Sequence, residues 1–100
     1  MLNMKMIKRD QEGELLMEGR LDNASVADAQ PILMDVVERY DSVVLNMKDL
    51  EYITSAGLRV LRNMILTMRK KGGKVVATNV NPMIQDVFRI TGFFALIKIE

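Results

Sequence analysis

The stretch Asp49-Leu50-Glu51-Tyr52-Ile53-Thr54-Ser55-Ala56-Gly57-Leu58-Arg59 decides how this chain is read. Before it, Ser42 to Met47 carries Val43-Val44-Leu45, a short apolar run of the kind buried in a parallel sheet. After it, Leu58, Leu61, Ile65 and Met68 recur at helical spacing, with Arg59, Arg62 and Asn63 outside that stripe. The stretch therefore leaves a strand through a short loop and enters a helix at two successive hydroxyl residues, Thr54 and Ser55. A hydroxyl in that place faces unpaired N–H groups and the positive end of the helix dipole, and either residue suits an N-cap. Gly57 is a poor helix former, and its lack of a side chain suggests room for another molecule to approach closely.

Working outward, Met4 to Arg9 alternates apolar and polar residues as a strand, Gln11-Glu12-Gly13 supplies a turn, and Glu14 to Glu18 reads as the returning strand of a hairpin. Gly19 to Asn23 is expected to be a loop. A helical pattern follows through Tyr40, with Ala29, Ile32, Leu33, Val36, Val37 and Tyr40 recurring at helical spacing. Ser25 and Asp28 have the spacing of a capping box, but Pro31 would then fall in the second turn; a start just before Pro31 is the alternative. The helix from Ser55 to Lys71 ends at Gly72-Gly73, Lys74 to Thr78 is a buried strand, and Asn81-Pro82 opens a third helix that Thr91-Gly92 stops. Ala95 to Ile99 closes the chain as a strand. The order β-β-α-β-α-β-α-β implies a mixed α/β fold: a hairpin, then β-α-β units, with helices packed on a single sheet and the Ser55 helix across the hairpin.

Composition narrows the function. One hundred residues, 49% apolar and 27% charged, suit one globular domain spanning 1–100 without disulfide or metal staples. The chain has no Cys and no His, which removes thiol nucleophiles, the commonest metal ligand and the commonest general base. No enzyme, metal site or cofactor is expected. A net charge of +1 gives no strong field for nucleic acid or anionic membrane. No apolar run approaches a membrane span and the N-terminus lacks a leader's apolar core, so the expected compartment is the cytoplasm. Most of the nine Met residues fall at inward positions, as core filling. Asp28, Asp35 and Glu38 make the first helix acidic while the second carries only Arg and Lys, a polarity read as solvation and salt-bridging between the two helices.

Several short motifs lie in order along nearly the whole chain. The segment around Thr54-Ser55-Ala56-Gly57-Leu58 resembles the D-[ST]-[AS]-G-L signature of the STAS-domain anti-sigma factor antagonists. Gly19-Arg20-Leu21-Asp22 is similar to that family's G-x-L-D, and Val43-Val44-Leu45-Asn46 with Asp49-Leu50 is similar to its central strand. Lys71-Gly72-Gly73 and Thr91-Gly92-Phe93 resemble later landmarks. Two departures stand out: Thr54 replaces the usual Asp before the acceptor, and Glu100 precedes the position of an extra C-terminal helix that many relatives carry.

The resemblance implies a bacterial partner-switching protein. Its unphosphorylated form would bind an anti-sigma factor, a serine kinase with a GHKL-type ATP site, and so release the sigma factor. Phosphorylation would end binding, and a PP2C-type phosphatase would reset the switch. Carried over, Ser55 is the phosphoacceptor, with Thr54, Ala56 and Gly57 around it. Asp22, Asn23 and Ser25 would lie beside it on the partner-facing surface, with Arg59 and Arg62 at its edge. The alternative is a non-switching STAS accessory subunit of a transporter or larger signalling complex, in which Thr54-Ser55 is only a cap.

Overall fold

Two period-two segments fold as an antiparallel hairpin, and three helical repeats supply the crossovers of the parallel strands that follow. The computed structural model describes residues 2–9 and 12–100. Strands β1 (Leu2–Arg9) and β2 (Glu12–Leu21) precede α1 (Val26–Arg39), β3 (Ser42–Ile53), α2 (Ser55–Lys70), β4 (Lys74–Thr78), α3 (Pro82–Thr91), a 3-10 turn (Phe93–Ala95) and β5 (Lys98–Ile99). The five strands lie in chain order, β1 antiparallel to β2 and the rest parallel. This is the expected mixed α/β fold.

Chain order explains the layering. Successive crossovers of one hand, always stepping to the next strand, place every helix on the same face. Leu15 and Met17 of β2, Leu45 and Met47 of β3 and Ala77 of β4 accordingly share one core with Leu33, Val37, Leu61, Ile65, Met68, Ile84 and Phe88 of the helices. On the opposite face Leu16, Val44 and Asn46 stay half-buried. Helix α1, not α2, covers the hairpin: Pro31, Ile32 and Val36 border Met4, Met6 and Leu15 around a cleft of about 410 Å³. The Ser55 helix packs on α1 and over β3 and β4.

Several boundaries move. Gln11 lies outside the described residues, but Glu12 and Gly13 belong to β2 rather than to a turn, with Gly13 buried between Met6 and Tyr40. Gly19 to Leu21, expected as loop, continue β2 and pair with β3 through Leu21↔Ile53. Strand β3 likewise runs on past Met47. Its twelve residues face the ten of β2 through two irregularities: Leu16 and Glu18 pair with Asn46 and Asp49, and Gly19 and Arg20 with Leu50 and Tyr52. Each leaves one extra residue on β3, so Met47, Leu50 and Ile53 point into the core at a spacing of three. At the other end the last strand shortens to Lys98–Ile99, because Phe93–Ala95 form the 3-10 turn.

The first helix starts at Val26, which decides the question Pro31 raised. Pro31 sits inside the helix and is exposed, as is Ala27, whose carbonyl loses its intrahelical donor but can face water. The expected capping box does not form, since the Ser25 side chain caps nothing in α1. The Asp22 carboxylate instead accepts from the N–H groups of Ala24 and Ser25 at 3.1 and 3.2 Å.

Candidate functional site

Strands β2 and β3 end together, and the site is built where they end. Thr54 N–H donates to the Leu21 carbonyl at 3.0 Å, fixing the start of α2 against the end of β2. Extended backbone at Thr54 (φ −100°, ψ 174°) then lets its side chain turn back over the first helical turn, where Oγ1 accepts from Gly57 N–H at 3.3 Å. The same hydroxyl donates to Asn23 Oδ1 at 3.2 Å, joining the β2–α1 loop to the helix. On the far side Asn81 caps α3 through Ile84 N–H and donates from Nδ2 to the Leu50 carbonyl, which ties the start of α3 to the irregular end of β3.

The two adjacent hydroxyls thus take different parts. Thr54 is the N-cap and is engaged on both sides. Ser55 is the first helical residue and exposed, and among the described residues its hydroxyl makes no hydrogen bond. A group carried on that oxygen would meet free N–H groups of the first turn and the positive end of a sixteen-residue helix.

The other candidate residues divide. Asn23 is exposed beside Thr54, Asp22 is half-buried with its carboxylate held inside its own loop, and Ala56 is half-buried on α2. Arg59 and Arg62 are exposed on the face that carries Ser55. Neither guanidinium has an ion pair or hydrogen bond among the described residues. The expected salt-bridging between α1 and α2 is absent among them too, because Asp35 pairs within its own helix with Arg39 at 3.1 Å.

Two candidates belong to the interior rather than to a contact surface. Ser25 is only 6% exposed; its hydroxyl donates to the Arg20 carbonyl at 2.9 Å and accepts from Asp22 N–H at 3.0 Å. It holds the loop's shape and offers little surface to another molecule. Gly57 is buried as well, and a Cβ there would lie 2.6 Å from the Leu21 carbonyl oxygen and 3.0 Å from Ile53 Cγ1. The space it leaves is filled by this protein's own β2 and β3, not by a visitor. Sequence reasoning also passed over Tyr52, an aromatic residue 43% exposed and paired in register with exposed Arg20. An aromatic residue inside an assumed loop gave no sign that the irregularity of β3 turns it outward.

No cluster of three or more possible metal ligands occurs among the described residues, and no helix there is long and apolar enough to cross a membrane. The sequence compares well with known proteins. The family model of the STAS domain matches residues 3–100. A putative anti-sigma factor antagonist, BtrV of Bordetella bronchiseptica, is 29% identical over 96% of this chain and 85% of its own length. The crystal structure of a putative anti-sigma factor antagonist from Thermotoga maritima superposes with a TM-score of 0.89 at 20% identity, covering 96% of this chain and 84% of that one. The phosphorylated form of SpoIIAA, a Bacillus cell fate determinant, superposes with a TM-score of 0.75 at 16% identity, covering 100% and 91%. By its sequence across 98 of 100 positions and by a fold shared with those antagonists, the chain belongs to the STAS domain family.

Proposed function

We propose that this protein is an anti-sigma factor antagonist controlled by phosphorylation of Ser55. The observation that carries the reading is the division of labour between the two hydroxyls: Thr54 is committed to capping α2, while Ser55 is exposed and unengaged. The relatives named as antagonists, and the phosphorylated state of SpoIIAA, support it. The unmodified chain binds an anti-sigma factor whose GHKL-type domain is a serine kinase, and the sigma factor is freed. With ATP, the Ser55 oxygen bonds to the γ-phosphorus as the bond to ADP breaks, and the hydroxyl proton passes to a carboxylate of the kinase. A PP2C-type phosphatase returns the serine. The chain itself catalyses nothing, binds neither nucleic acid nor membrane, and works in the cytoplasm.

The partner-facing surface consists of Asn23, Thr54, Ser55, Ala56, Arg59 and Arg62 with the neighbouring Tyr52, while Ser25 and Gly57 shape it from below. The test is capture of partners from native lysate on the immobilised chain, then incubation of the captured kinase with ATP and mapping of phosphate by mass spectrometry. The expected result is phosphate on Ser55 and release of the kinase. A chain that stays bound in a larger assembly and is never phosphorylated would instead support the accessory-subunit reading.

A further inference from the structure

Ser55, Arg59 and Arg62 follow one another at spacings of four and three on the exposed side of α2. Residues four apart on a helix are neighbours, with Cβ atoms about 5–6 Å apart. Every other helix arginine has a partner: Arg39 pairs with Asp35, Arg89 with Asp86, and Arg69 donates to the Ala95 carbonyl. Lys70, the other helix cation without one among the described residues, sits in the last turn of α2, where the dipole favours it. Arg59 and Arg62 have none among the described residues, and α2 carries no carboxylate to supply one. Arg59 begins the second turn, nearer the helix end where the dipole disfavours cations than the end where it favours them, so its charge gains nothing from the dipole. A free guanidinium one turn from an exposed hydroxyl is suited to two anions in alternation.

We propose that Arg59 is the second half of the switch: its guanidinium pairs with a carboxylate of the partner protein in the unmodified state and is captured by the phosphate on Ser55 in the modified state. This rests on the reading of Ser55 as the phosphoacceptor. Modification then adds a charge at the interface and also withdraws the cation that recognised the partner. The favoured partner is a protein surface bearing carboxylates rather than nucleic acid, because two unpartnered guanidinium groups on a chain of net charge +1 can hold a local carboxylate but make too small a basic field for an extended phosphate backbone.

The capture half is tested without any partner. Phosphoserine is installed at position 55 of the full chain by genetic encoding, and the second ionisation of the phosphate is followed by phosphorus-31 NMR. Against an Arg59→Gln chain, the native Arg59 is expected to lower that ionisation by about 0.3 pH units. Arg62→Gln, a further turn away, is expected to change it much less. Equal ionisation in the native and Arg59→Gln chains overturns the capture. The recognition half uses the unmodified chain and the kinase captured from lysate: Arg59→Gln is expected to weaken binding about tenfold, with unchanged melting temperature. Unchanged affinity overturns that half, as does tight binding of a short DNA duplex that Arg59→Gln abolishes. If phosphate on Ser55 fails to release the kinase, the switch reading itself falls, while the phosphorus titration still decides the capture.

Discussion

A Cβ atom on Gly57 would lie 2.6 Å from the carbonyl oxygen of Leu21, closer than real side chains approach backbone oxygens. That carbonyl also accepts the Thr54 N–H at 3.0 Å, so it cannot retreat without loosening the start of α2. Helix propensity favours Ala over Gly by about 1 kcal/mol, but the collision opposes it with an overpacking cost of about 1–3 kcal/mol. Gly57→Ala is expected to be neutral to about 2 kcal/mol destabilising, and Gly57→Val clearly worse, by about 3 kcal/mol, as it adds two methyl groups to a Cβ that already crowds Leu21 and Ile53. Urea unfolding of both variants checks this. A Gly57→Val chain as stable as the parent, but defective in binding, would restore the idea that the glycine makes room for a partner.

Ser25 gives a second separation of fold from contact. Its buried hydroxyl serves the Arg20 carbonyl and the Asp22 N–H at once. Removing it leaves a part-buried donor and acceptor short of partners, at a cost of about 1 kcal/mol. Ser25→Ala is therefore expected to lower the urea midpoint while the fraction still folded binds the partner with normal affinity. Isothermal titration, corrected for active concentration, tells this apart from a lost contact.

The period of the residues made most of this fold legible, and one strand shows where that stops. Helices α1, α2 and α3 repeat near 3.6, and the first half of β3 lies in an apolar run, so each could be read without coordinates. Met47, Leu50 and Ile53 repeat at three, which is the period of neither strand nor helix, and the segment looked like a loop. Only pairing with β2 explains it, because the extra residues are defined by what they lack opposite them. The site divides in the same way. The place of Ser55 at the start of α2 could be read from its own neighbours, whereas the parts played by Gly57 and Ser25 depend on Leu21 and Arg20, residues distant along the chain or across a turn.

Thr54 is the cap, so its substitutions should act on stability first. Thr54→Val keeps shape but loses the acceptor for Gly57 N–H and the donor to Asn23 Oδ1. The expected cost is about 1 kcal/mol, within the 0.5–2 range for lost N-caps. Thr54→Ser should keep both bonds and nearly full stability, and Thr54→Asp should cap equally well while placing a carboxylate beside Ser55. Thermal unfolding of the three variants orders them; a Val variant no less stable than the Ser variant would show that the cap contributes nothing.

Phosphorylation of Ser55 is expected to leave the fold intact and abolish binding, because the same charge meets two environments. It adds about −1.5 to −2 charges at pH 7. Within the free chain these sit at the N-terminus of α2, where unpaired N–H groups and the dipole stabilise an anion by about 0.3–1 kcal/mol. Thr54 is neutral and adds no opposing carboxylate. The melting temperature should therefore hold or rise slightly. At a closed protein interface the charge loses its water. Arg59 can offset at most one of its negative charges, and in doing so leaves the partner's carboxylate unpaired, so uncompensated buried charge there costs about 3–5 kcal/mol. That corresponds to about a hundred- to several-thousand-fold in affinity. Ser55→Ala should bind constitutively and resist modification, and Ser55→Asp should bind weakly, since one carboxylate imitates a phosphate incompletely. Melting temperature and kinase affinity measured on the unmodified, phosphorylated, Ala and Asp forms test both halves together. Phosphate found only on Thr54, or equal affinity for the Ala and phosphorylated forms, would falsify Ser55 as the switch, and a large fall in melting temperature on phosphorylation would mean that the charge acts through the fold instead of the interface.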